Sequence, residues 1–145
     1  MTGEDSQPNS NISQEVCSLA KCDGQLFKRL LEAGTIWLEK HVPFINSLNV
    51  YPVPDGDTGT NMLLTMRAAL EEIARSPENS VDAIIQAVSY GALMGARGNS
   101  GVILSQILRG MARSLGDKQI MDTAEFAAAM KEAAATAYKG VMKPV

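Results

Sequence analysis

Asp55 and Asp57 stand two residues apart in the run LNVYPVPDGDTGTNM, which spans residues 48–62. Pro52 and Pro54 stiffen the approach to the turn, and Gly56 and Gly59 let its backbone bend. Two carboxylates on one tight turn repel each other unless a cation lies between them. An Asp-Gly-Asp turn therefore gathers hard oxygen ligands for a divalent metal. Magnesium is the best match, because it takes only one or two carboxylates and fills its shell with water and phosphate oxygens. Asn49 adds a neutral oxygen to the same set, and Thr58, Thr60 and Asn61, at the start of a helix, complete the shell. The plainer reading of these residues is an Asp-Gly turn followed by a helix N-cap at Asp57, with no metal.

A second run, GARGNSG at residues 95–101, separates two helical patterns. Gly98 and Gly101 allow a ligand close to the backbone, and Asn99 tolerates a left-handed conformation. Ser100 opens a helix whose free N–H groups attract phosphate. Arg97 adds a charge-assisted contact. Here the plainer reading is a C-cap followed by an N-cap. No Gly-Lys-Ser/Thr follows the glycines and no strand precedes them, so this is not a Walker A loop.

Five helical patterns must position these runs. The first covers residues 24–40, opens at Asp23 and ends or breaks at Pro43, with one more turn over 44–48. Leu26, Phe27, Leu30, Leu31, Gly34, Trp37 and Leu38 form its apolar stripe. The second covers 58–75, with Met62, Leu63, Met66, Ala69, Leu70 and Ile73 inward. The third runs from Ser80 to about residue 95 and buries Val81, Ile84, Ile85 and Val88; Gly91, Ala92 and Gly95 extend that face. Residues 96–99 read as a loop. The fourth helix, 100–115, is apolar around most of its circumference and is expected at the centre of the fold. Asp122 and Glu125 resemble a capping box for a fifth helix to about residue 139, with Phe126, Met130, Ala133, Ala134, Ala137 and Tyr138 inward. No segment shows sustained alternation, so no sheet is expected. The fold class is all-α, an antiparallel up-and-down bundle or barrel. In that topology the loop before helix two and the loop between helices three and four fall at the same end. The carboxylates and the glycine loop then make one composite site for a metal-bound nucleotide.

Composition agrees. Of 145 residues, 46% are hydrophobic and only 5% aromatic, which favours closely packed helices over a sheet sandwich. A net charge of −3 argues against a broad nucleic-acid surface. No apolar run approaches the ~20 residues of a membrane span. Cys17 and Cys22 fit no common zinc spacing, and without a signal-like N-terminus they suit a reducing cytoplasm. Residues 1–22 read as disordered or partly helical, and 23–145 as one incomplete domain. His41 and Trp37 continue the first helix's stripe and read as packed residues, and the methionines as core. Arg67, Glu71, Glu72 and Arg75 read as a solvated face.

The run LNVYPVPDGDTGTNM, followed by GALMGARGNSGVILSQILRGMA, resembles the nucleotide-binding domain of the dihydroxyacetone kinase DhaL type. It is most similar to the N-terminal domain of the bacterial fatty acid kinase ATP-binding subunit. The resemblance covers residues 23–145. It implies an antiparallel helical barrel with ATP and two magnesium ions at one end, the metals on Asp55 and Asp57, and the phosphates along Gly98, Asn99, Ser100 and Gly101. The dihydroxyacetone enzymes have a further Asp ahead of the turn, whose nearest match here is Asn49 with an extra residue between. They also carry His where this chain has Thr58, which favours the fatty-acid branch. The family domain continues with more helices. The implied reaction is phosphorylation of a protein-bound fatty acid to an acyl phosphate. The implied partner is a DegV-like fatty-acid-binding protein, and a homodimer is compatible. The alternatives are a kinase of dihydroxyacetone or another small polyol, and a helical interaction module whose loops are only caps.

Overall fold

The computed structural model describes residues 20–51 and 53–141. The disorder expected over residues 1–12, the partial helix over 13–21 and Cys17 lie wholly or mostly outside that range. Among the described residues there are five helices, α1 (Gly24–Ser47), α2 (Thr58–Glu71), α3 (Val81–Met94), α4 (Gly98–Ser114) and α5 (Thr123–Val141). The expected all-α class holds, with one departure. Lys21–Cys22 (β1) pairs antiparallel with Met121–Asp122 (β2), two residues a side. So short a pair leaves no period-2 signature, which is why the sequence shows no sheet.

Local chemistry explains most helix starts. The Asp23 carboxylate accepts from Leu26 N at 2.8 Å, and the Ser80 hydroxyl from Ala83 N at 3.3 Å. Asp122 and Glu125 form the expected capping box, with Glu125 N donating to Asp122 Oδ1 at 2.7 Å. Two boundaries differ from expectation. α2 ends at Glu71, not near residue 75, and α4 begins at Gly98, inside the expected loop.

A third difference matters for the site. α1 does not end at Pro43; it continues to Ser47. Pro43 lacks one N–H donor, but the turns on both sides keep theirs. The extension carries Asn46 to the start of α2.

The core is centred on α3. Val81, Ile84, Ile85, Val88 and Ala92 are all fully buried, against Phe27, Ile73 and Leu115 from three sides. α4 packs on α2, α3 and α5, but it is less central than its composition suggests, since Val102 and Ile103 are exposed. Trp37 and Leu30 of α1, and Phe126, Met130 and Tyr138 of α5, are also exposed rather than inward. On α5 the small residues Ala129, Ala133, Thr136 and Ala137 face the core instead. The reason is close approach. A Cβ on Gly110 of α4 would stand 2.6 Å from Ala133 Cα, a separation that leaves no room for large side chains between the two helices. Trp37 stacks on His41, with ring centroids 4.4 Å apart, and His41 Nδ1 lies 2.8 Å from Trp37 O, so that pair is satisfied within its own helix.

Candidate functional site

Two ends of the bundle have distinct chemistry. At one end, the end of α1 and the starts of α2 and α4 converge. At the other, Gly24 N and Gln25 N donate to Asn79, and Val81 N and Asp82 N donate to the backbone of Gln119 and Lys118. That second end holds the larger cavity, about 500 Å³, walled by Phe27, Leu31, Met111, Met121 and Phe126. Its one carboxylate, Asp122, is engaged in capping α5. Burial pushes the Cys22 thiol in that wall upward, with the Asp23 charge adding to the effect, so it is a poor source of thiolate.

The first end holds a polar cavity of about 310 Å³. Asn49, Asp55, Asp57, Thr58, Asn61, Gly98, Asn99 and Ser100 line it, together with Tyr51 and Val53. The two runs singled out in the sequence therefore meet in one place. They are tied directly, because the Ser100 hydroxyl donates to Thr58 O at 3.1 Å. A second tie runs one turn deeper. Thr65, fully buried, donates to Asn61 O at 2.8 Å and accepts from Arg97 N at 3.1 Å. Gly101 packs against this hydroxyl so closely that a Cβ would collide with it, and a Cβ on Gly98 would collide with the Asn61 amide. Gly98 also has φ +64°, in the left-handed region. Both glycines are thus required for α4 to lie against α2.

The Asp55–Asp57 turn is held by its neighbours rather than by its own side chains. Gly56 takes φ +63°, which turns the chain between the two acids. Asn49 Oδ1 accepts from Asp57 N at 3.1 Å, and Asn49 Nδ2 donates to Val53 O at 3.2 Å. Among the described residues neither carboxylate accepts a hydrogen bond or joins a salt bridge. Asp57 occupies the N-cap position of α2, yet its side chain makes no capping bond. The plain-cap reading of Asp57 is therefore not what the structure shows. The capping bonds come from Asn46, whose Oδ1 accepts from Gly59 N at 2.8 Å and Thr60 N at 3.1 Å.

This donor set fits a magnesium–nucleotide complex. Two unengaged carboxylates meet a helix start, where free N–H groups attract phosphate. Among the described residues no three His, Cys, Asp or Glu side chains come together, so an all-protein metal cage has no basis there. Three expected residues lie off the cavity wall. Thr60 is exposed, with its hydroxyl accepting from Asn46 Nδ2 at 3.0 Å; Gly101 is buried under Thr65; and Arg97 contributes its backbone N–H to Thr65. Sequence reasoning missed Asn46, Thr65 and Tyr51. Asn46 sits beyond a proline and carries no periodic signal. Thr65 is identifiable as a single polar residue on the apolar stripe of α2.

Comparisons with known proteins show the family of the chain. Residues 52–145 match the DAK2 domain. An uncharacterized protein of Staphylococcus saprophyticus is 46% identical over 127 residues, 88% of this chain and 23% of the relative. Protein YloV of Bacillus subtilis is 44% identical over 128 residues, again 88% of this chain and 23% of its own length. An uncharacterized protein of Staphylococcus epidermidis is 43% identical over 127 residues with the same coverage. The chain belongs to the DAK2 domain family, a nucleotide-binding family of the dihydroxyacetone kinase superfamily. It spans about a quarter of the length of the curated relatives it matches. Among the described residues no helix is long and apolar enough to cross a membrane.

Proposed function

We propose that this chain is the ATP- and magnesium-binding domain of a kinase that converts a protein-bound fatty acid and ATP to an acyl phosphate and ADP. The observation that supports it best is the pair of unengaged carboxylates, Asp55 and Asp57, on the same cavity wall as the start of α4. Asp55 and Asp57 would hold the magnesium, which when bound neutralises charge on the nucleotide phosphates. The N–H groups at Gly98, Asn99 and Ser100 offer phosphate oxygens a positive helix end, whereas Gly101 N already donates to Arg97 O at 3.1 Å. Thr58 and Asn61 supply neutral oxygens beside the acids, and Asn49 holds the turn that carries them. Thr58 in place of a histidine favours the fatty-acid branch over a dihydroxyacetone or polyol kinase. On that reading the acyl group arrives on a separate DegV-like carrier in the cytoplasm.

Titration calorimetry with a non-hydrolysable ATP analogue tests the site. Binding that magnesium strengthens, with that gain lost in Asp57→Asn, is the expected result. At 100 times its dissociation constant the complex should stabilise the fold by ~2.7 kcal/mol. Absence of binding with and without magnesium would exclude the nucleotide role of this chain by itself. Phosphorylation assays on the longer protein, offering a carrier-bound fatty acid or dihydroxyacetone, then discriminate between the acceptors.

A further inference from the structure

We propose that Asn46 is a positioning residue that keeps the Asp57 carboxylate available for the cation, by holding the first turn of α2 from outside that helix. The inference rests on the metal–nucleotide reading above and adds to it a residue on a different helix.

The free N–H groups at a helix start need acceptors, and Asp at the N-cap position is among the best of them. α1, α3 and α5 follow that rule with Asp23, Ser80 and Asp122. α2 is headed by Asp57 and does not follow it. Asp57 has φ −121° and ψ 6°, whereas Asp23 and Ser80, which cap their own helices, are extended at ψ 178° and 129°. The amides that Asp57 would cap are taken by Asn46, which bonds Gly59 N, Thr60 N and the Thr60 hydroxyl with one side chain. An amide at this place satisfies the helix without adding a third negative charge beside Asp55 and Asp57.

Two further features build the contact. α1 runs through Pro43, which brings Asn46 to α2. Gly59 leaves the space, since a Cβ there would stand 3.0 Å from both Asn46 Oδ1 and Val42 O. Without Asn46 the open amides would draw in the adjacent Asp57. A carboxylate bonded to two N–H groups is a weaker ligand, because the lone pairs a cation would use are engaged in charge-assisted hydrogen bonds.

The test is a cycle of Asn46→Ala, Asp57→Ala and the double variant, with Asn46→Asp as the conservative replacement. Melting is followed on nucleotide-free protein, and affinity for an ATP analogue is measured with and without magnesium. Each single variant retains one cap, so the double variant should melt below the sum of the singles by about 4 °C, as one lost cap implies. Asn46→Ala should lose about 10- to 100-fold in magnesium-dependent affinity, the range for residues that orient a metal ligand, with metal-free affinity unchanged. Asn46→Asp, which keeps an acceptor for both amides, should restore the melting temperature. Additive melting shifts would overturn the proposal, and so would an equal loss of affinity with and without magnesium in Asn46→Ala. Non-additive melting in a protein that binds no magnesium–nucleotide would overturn the kinase reading and leave the exchange of caps standing.

Discussion

α1 and α2 both begin at an aspartate, and the two acids do opposite things. Asp23 is extended and caps its own helix, with its Oδ1 2.8 Å from Leu26 N. Asp57 holds the same position, makes no capping bond and lines a polar cavity. The residue type is the same and so is its local preference. The difference is the neighbour. Among the described residues Leu26 N bonds Asp23 alone, whereas Asn46 arrives at α2 from another helix. An aspartate at a helix start is a structural cap by default, and becomes a candidate ligand when some other group takes over the capping.

Several substitutions would break or sharpen that contrast. The largest effect is expected at Asp57. Asp57→Asn should weaken magnesium-dependent nucleotide binding by about 100-fold, as loss of a charged contact worth ~3 kcal/mol implies, with little change in melting temperature. Calorimetry and thermal melting on one sample check both halves. Gly98→Ala comes next. It places a side chain in the left-handed region and against Asn61, so chemical denaturation should show a loss of about 2 kcal/mol, accompanied by weaker nucleotide binding. Asp23→Ala should cost about 1 kcal/mol in the same denaturation experiment and leave nucleotide affinity unchanged, the mirror image of Asp57→Asn. The smallest effect belongs to the exposed Arg67–Glu39 pair, where Glu39→Gln should shift stability by no more than ~0.5 kcal/mol, measured in the same way. A nucleotide effect from Asp23→Ala, or a capping-sized stability loss from Asp57→Asn, would erase the distinction between the two helix starts.

The helical class, the five patterns and both loops were legible in the residues. Period-3.6 stripes, Ser80 and the Asp122–Glu125 box are local signals, and local signals persist when the chain folds. The meeting of the two loops was legible as well, because up-and-down connectivity returns α4 to the end where α2 begins. The outward faces were not. Trp37, Phe126 and Tyr138 fit apolar stripes as well as any core residue, but a stripe does not say which side a neighbour covers. Gly110 decided that for α5, drawing α4 so close that only Ala and Thr fit between them. α1's passage through Pro43 was equally invisible, since proline usually ends a helix and only packing against α2 and α3 sustains this one.

By itself the sequence determined what could bind. Two carboxylates on one glycine turn and a glycine-flanked helix start have that chemistry in any fold that brings them together. The tertiary structure alone decided whether those groups were free to bind, because the free state of Asp57 depends on Asn46, a residue of another helix. Each N–H offers one proton, and which acceptor takes it is settled only when the helices are packed.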